Sequence, residues 1–147
     1  MMKKIVGTIL ALFLMVGVAF AQPGNWRVPD QATIDWGAIT VLENGNPLPA
    51  DNTIEYAIYL SLYPLTGDPQ DYENQPLVGT TSNLTYTLTF TDEGSWVVGV
   101  QPIRKDSDGN EVSRSNISWS SDPAAVLDGN TFGWAVWYKP GNVSDLH

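Results

Sequence analysis

An all-β fold, a sandwich of antiparallel strands, is the fold class this sequence predicts, and three observations predict it. Beyond residue 21 no stretch carries apolar residues at the 3.6-residue period of a helix. Apolar and polar residues alternate with period two in several runs, and clusters of Gly, Pro, Asn and Asp separate those runs. The clearest run places Leu84, Tyr86, Leu88 and Phe90 on one face and Thr85, Thr87, Thr89 and Thr91 on the other. Threonine suits a wet pleated surface, so the apolar set needs a second layer to cover it. A slip of one residue would expose all four apolar side chains, which specifies the register.

Taken in chain order, residues 1–21 read as a secretory signal. Lys3 and Lys4 precede an apolar run from Ile5 to Phe20, and small residues stand at Ala19 and Ala21, so cleavage is expected after Ala21. As a helix the apolar run reaches about 24 Å, short of a hydrocarbon core of about 30 Å, so a removed signal is expected rather than a retained anchor. A pilin-type leader, cut before the apolar run, is disfavoured by Leu12, which stands where bacterial pilins carry a glutamate. Removing 21 of the 147 residues leaves 126, enough for one domain. Five cations then face 16 acids, a formal charge of −11. Such a surface repels phosphate backbones and anionic lipid, so neither a nucleic acid nor, once the signal is gone, a membrane is an expected partner. With no cysteine in the chain, disulfides and thiolate zinc sites are excluded.

The first strand is weakly marked, by Trp26 and Val28 before Pro29. Ala32, Ile34 and Trp36 alternate up to Gly37, and the turn-forming run ENGNPLPADN follows. Ile54, Tyr56, Ile58 and Leu60 form the next alternating set, ended by the three prolines of YPLTGDPQDYENQP. LVGTT adds a short edge strand before residues 84–90, and Trp96, Val98 and Val100 share a face of the strand after them. KDSDGNE turns the chain back into VSRSNISW, where Ile117 and Trp119 are expected to point inward.

This spacing of Trp36, EYAIYL, SNLTYTLTF and GSWVVGVQPIRKDSDGNEVSRS resembles a fibronectin type III domain over residues 28–121. The resemblance implies a seven-strand Greek-key sandwich, with Trp36 as the core tryptophan of the second strand. It also implies that Tyr56 and Ile58 lie on a central strand and that Ser113 and Ser115 lie on the last. Trp96 stands where the family has the tyrosine of its corner motif, leaving an indole N–H to make the bond back to the chain. The expected organisation is a signal at 1–21, a sandwich at 22–121, and an aromatic C-terminal segment with tail or linker at 122–147. In that last segment Phe132, Trp134, Val136 and Tyr138 share one face of an extra β-ribbon and Trp137 the other. KPGNVSDLH resembles the opening of a further module of the same family.

Catalytic parts are scarce. His147 is the sole histidine, so nucleophilic triads and histidine-rich metal sites have no material. Acids such as Asp68, Asp71, Glu73, Asp92 and Glu93 fall in turns, where water keeps carboxylates ionised; a glycosidase would need one held protonated across a cleft. Asp106, Asp108 and Asn110 have the alternate spacing of calcium-loop ligands, yet Glu111 occupies the position that such a loop gives to glycine. A hairpin turn with Gly109 at positive φ is the simpler reading, with weak calcium binding as the alternative, and no other cofactor is expected.

The functional expectation is an exported, non-catalytic module, secreted or at the cell surface, for protein interaction, adhesion or structural spacing. Its partner would be another protein or a neighbouring module, contacted through Phe132, Trp134, Trp137 and Tyr138. Two alternatives stand beside it. One is a carbohydrate-binding module stacking sugars on exposed Trp and Tyr. The other is a subunit of a surface fibre or virion appendage whose C-terminal ribbon completes a neighbour's sheet.

Overall fold

The computed structural model describes residues 25–27 and 31–137. The expected signal at 1–21 and the tail from Tyr138 onward, with its resemblance to a further module, lie outside the described residues. Among the described residues nine strands follow one another: β1 (Asn25–Arg27), β2 (Gln31–Asp35), β3 (Thr53–Leu62), β4 (Leu77–Thr81), β5 (Thr85–Thr89), β6 (Gly94–Lys105), β7 (Glu111–Arg114), β8 (Ser118–Trp119) and β9 (Phe132–Val136). Among the described residues the one helical piece is a 3-10 turn, Leu127–Gly129, and no helix is long and apolar enough to cross a membrane.

β2 and β5 pair antiparallel as a two-stranded sheet. The other seven strands form a second sheet in the order β1-β9-β6-β3-β4, with β7 and β8 also on β6. All pairings in it are antiparallel except that of β1 with β9. The two sheets pack face to face through Ile34, Leu88 and Phe90 from the smaller layer and Tyr56, Ile58, Leu60, Val98, Trp134 and Val136 from the larger. Two aromatic contacts cross the interface, Trp36 on Tyr56 with centroids 5.2 Å apart and Phe90 on Trp134 at 5.5 Å. The expected alternation is realised in the smaller sheet for Tyr86, Leu88 and Phe90, whereas Leu84, expected on the same covered face, precedes β5 and is exposed. Leu88 and Phe90 are buried while Thr85, Thr87 and Thr89 stay wet, with the Thr87 and Thr33 hydroxyls 3.1 Å apart across the strands.

β3 and β6 depart from simple alternation, because both of their faces are covered. Ala57, Tyr59, Val97 and Ile103 point away from the second layer and join Ile117 and Trp119 in a separate apolar cluster, against which Tyr63 and Leu65 pack. Ile117 and Trp119 are thus buried on the outer face of the large sheet rather than between the layers. The segment between β3 and β4 folds back over this face. The Gln70 side-chain amide accepts the Ile117 N–H at 2.7 Å and donates to the Ile117 carbonyl at 3.0 Å, while the Trp119 indole donates to the Pro69 carbonyl at 2.8 Å. Gln70 thereby supplies the pairing that the backbone lacks between β7 and β8.

Gln101 is a buried polar residue on this face, and its hydrogen bonds account for it. Its Oε1 accepts from the Tyr59 hydroxyl at 2.8 Å and its Nε2 donates to the Ser115 carbonyl at 2.8 Å. Burial pushes the Tyr59 phenol above its ordinary value, an effect that the nearby Arg114 guanidinium opposes. Gln101→Leu would strand the Tyr59 hydroxyl and the Ser115 carbonyl, and should cost about 1–3 kcal/mol in urea denaturation. The double variant Gln101→Leu/Tyr59→Phe should recover part of that loss, because it removes one of the stranded groups.

A second departure concerns the chain after residue 121. The aromatic segment expected as an extra ribbon is a strand of the same sheet. β9 continues the edge of β6 that β7 and β8 begin, with Gly94, Ser95 and Trp96 opposite Val136, Ala135 and Trp134. Three short pieces therefore serve one side of the twelve-residue β6, in place of one unbroken strand. Between β8 and β9 the chain makes an excursion over residues 121–131, closed where the Phe132 N–H donates to the Ser120 carbonyl at 2.9 Å.

Candidate functional site

Of the four aromatic residues expected to make contacts, the structure describes three and gives each a different exposure. Trp134 is 4 % exposed and packs between Phe90 and Phe132, with centroids 5.5 Å away on both sides. Phe132 is half-buried at the start of β9. Trp137, just past the far end of β9, is 60 % exposed, and Tyr138 lies outside the described residues. At about 3.3 Å per residue, Phe132 and Trp137 are roughly 16 Å apart, so they do not form one surface. Of the other aromatics, Tyr72 carries the Arg114 guanidinium over its ring at 4.0 Å, and Tyr63 packs against the outer apolar cluster.

Asp106, Asp108 and Asn110 do come together, as the β6–β7 turn. Asp106 Oδ1 accepts the backbone N–H groups of Asp108 at 3.0 Å and Asn110 at 2.8 Å, and Gly109 takes φ +82°. The carboxylate that would hold a cation is thus already occupied with its own backbone. No group of three acidic or histidine side chains placed to hold a metal occurs among the described residues.

These bonds, the one from the Asn110 N–H foremost, hold the Asp106 carboxyl below its ordinary range. Hydrogen bonding from Arg114 does the same for Glu111. Both folded-state values lie below the unfolded ones, so the stability they contribute is complete above about pH 4.5 and is lost as the pH falls through the folded values. Asp106→Asn keeps an oxygen acceptor but does not titrate. Its melting temperature should therefore fall less steeply than that of the wild type between about pH 4 and pH 2 in thermal scans.

A candidate site lies elsewhere. A cleft of about 610 Å3 opens between the C-terminal end of β2 (Ile34 and Asp35, continued by Trp36 and Gly37) and the large sheet at Val98, Val100, Ser118–Ser120 and Phe132. Ala125, Val126 and Leu127 of the 121–131 excursion form its remaining wall. No residue of β3, β4 or β5 lines it, so it opens past the edge of β2 that faces away from β5. Along that edge, alternation of the antiparallel ladder decides which backbone groups are free. The Trp36 N–H donates to the Leu84 carbonyl at 3.0 Å, which assigns the even-numbered residues of β2 to bonding with β5. The backbone groups of Gln31, Thr33 and Asp35 then point outward, and among the described residues β5 is the one strand that pairs with β2.

The excursion has the character of a compact surface loop with pinned ends. Asp122 caps its first turn, its Oδ1 accepting the Ala124 N–H at 2.9 Å, and the Gly129 and Asn130 N–H groups bond back to Val126 and Leu127. Asp128 and Gly129 are both left-handed, at φ +55° and +69°. Aspartate is one of the few side chains that tolerate this region. Leu127, which that bend holds up at the mouth of the cleft, is 86 % exposed.

The cleft is an apolar groove whose one acidic lining residue, Asp35, has its exposed side chain on the face of β2 opposite Ile34, and no cation lines it. Its size is that of a binding site, and no pair of titratable groups stands across it. The nearby Trp36 indole N–H is buried without a hydrogen-bond partner among the described residues. Sequence reading marked Trp36 as core and ended the sandwich pattern at residue 121. The cleft needs Trp36 and the 121–131 excursion together, and the only local signals were the turn-rich SDPAAVLDGN and an apolar pair at its centre. Comparison of the chain with protein-family models, with curated proteins and with solved structures gives no match.

Proposed function

We propose that this chain is the precursor of an exported, non-catalytic β-sandwich module of the fibronectin type III kind, which acts at or outside the cell surface by contact with another protein. The observation that carries the reading is the edge of β2 that no other described strand pairs, beside an apolar cleft whose lining offers a surface and no acid–base pair. Two further features support the family. Successive strands change layer between β2 and β3 and again between β4 and β5, as in a Greek key. In addition, the Trp96 indole N–H donates to the Asp92 carbonyl at 3.2 Å, a bond back along the chain like that of the corner tyrosine. Against general-acid chemistry, the carboxyls with displaced titration, Asp106 and Glu111, are displaced downward.

Trp137 favours a second reading, because a tryptophan 60 % exposed can stack a sugar ring. Expression of the full chain in a bacterial host, with mass spectrometry of the product, tests export: the chain is expected to begin at Gln22. Titration of that product with soluble polysaccharides, followed by tryptophan fluorescence, separates the two functions. No shift is expected. A shift abolished by Trp137→Ala would replace the protein-contact reading with carbohydrate binding, and a product that retains Ile5 to Phe20 would overturn the exported module.

A further inference from the structure

Resting on the reading of a protein-contact module, we infer that the cleft, together with the edge of β2 that no other described strand pairs, receives an extended peptide segment of a partner protein, one that alternates apolar residues with Lys or Arg. The segment adds to β2 as a third strand of the small sheet.

Geometry dictates the alternation. A strand laid along β2 bonds to the outward backbone groups of Gln31, Thr33 and Asp35, and its side chains then point alternately to the two faces of the small sheet. Those on the inner face enter the cleft against Ile34, Val98, Val100 and Phe132, where an apolar group is wanted and a charge would be stripped of water. Those on the outer face stand beside the exposed side chains of Thr33 and Asp35, where directly opposed unlike charges are favourable.

Charge selects the partner. Asp35 stands on the outer face beside this edge, the cleft lining holds no cation, and the excursion that walls the cleft adds Asp122 and Asp128. Once the signal is removed, the chain as a whole has 16 acids against five cations. A second copy would bring the same excess of negative charge to the contact, so a basic segment of a different protein is the complementary occupant. Leu127 is placed to close over such a segment, since it is held at the cleft mouth almost fully exposed.

The test is selection of random twelve-residue peptides displayed on phage against the immobilised mature protein, residues 22–147. The selected consensus is then made as a free peptide and its binding measured by calorimetry. Enriched peptides are expected to alternate apolar residues with Lys or Arg and to bind more weakly as salt rises. Leu127→Asp and Asp35→Lys should each weaken binding about tenfold. Both side chains are exposed, so the variants should keep the wild-type circular dichroism spectrum. Hydrogen exchange should show new protection at the Gln31, Thr33 and Asp35 amides in the complex. Failure to enrich any peptide, enrichment of acidic peptides, or binding indifferent to both cleft variants overturns the inference. Binding that is indifferent to them but lost in Trp137→Ala leaves the protein-contact module standing while removing this site. Binding of polysaccharide with no binding of peptide removes both, and concentration-dependent self-association abolished by Leu127→Asp would give the cleft to a second copy instead.

Discussion

Trp134→Ala should cost the fold about 3–5 kcal/mol, whereas Trp137→Ala, three residues further on, should change stability by no more than about 0.5 kcal/mol. The contrast follows from where β9 goes. Trp134 stands opposite Trp96 on β6, turns into the space between the sheets and meets Phe90 of the facing layer, so truncation leaves a cavity that both layers must line. Trp137 lies past the end of the strand with its ring in solvent. A domain of this size holds about 5–15 kcal/mol in total, so Trp134→Ala should move the urea midpoint by a large fraction of its value. Equal small effects for the two variants would mean that β9 is not part of the core.

Gly99→Val is expected to be comparably damaging, at about 3 kcal/mol, for the opposite reason. Gly99 is buried on β6 between Tyr59 and Trp119, and the side chains of the outer cluster lie directly on its backbone. A Cβ there would stand 2.5 Å from Ile117 Cγ2 and 3.0 Å from Trp119 Cε3. Neither neighbour can retreat freely, since Gln70 clamps the Ile117 backbone and the Trp119 indole is tied to the Pro69 carbonyl. Gly99→Ala should cost less, about 1–3 kcal/mol, and Gly99→Ala combined with Ile117→Ala should show strong coupling in a double-mutant cycle, because the second change removes the colliding methyl. Additive losses would place the close approach elsewhere.

These two positions mark where sequence reading stops. β2 and β5 were legible because each has one wet face, so period two appears as Ala32 and Ile34 or Leu88 and Phe90 against threonines. β3 was legible as a strand but not in its burial. Tyr56 to Leu60 is apolar throughout, and only the return of residues 63–76 over the outer face explains why Ala57 and Tyr59 are buried with the rest. Phe132, Trp134 and Val136 announced a face that needed covering, and the sequence left open whether that cover came from the same chain. The answer lies in the main-chain ladder that β9 makes with β6, entered at the bond between Ser120 and Phe132, and such bonds have no side-chain signature. For the same reason the cleft was invisible: Ile34–Gly37 and Ala125–Leu127 meet only through the fold, about ninety positions apart in the chain. At the β6–β7 turn, by contrast, the sequence alone favoured a self-bonded hairpin over a calcium loop, because Glu111 replaces the required glycine.

The bond that joins Ser120 to Phe132 also governs how this protein can diverge. Because the chain departs and returns at one point on the edge of β6, the eleven residues in between can be lengthened, shortened or exchanged while the flanking strands keep their register. Doubling such a loop costs only about 0.6 kcal/mol in closure entropy. Descendants of this chain would therefore be able to change the surface that residues 121–131 present without altering the strands beneath them.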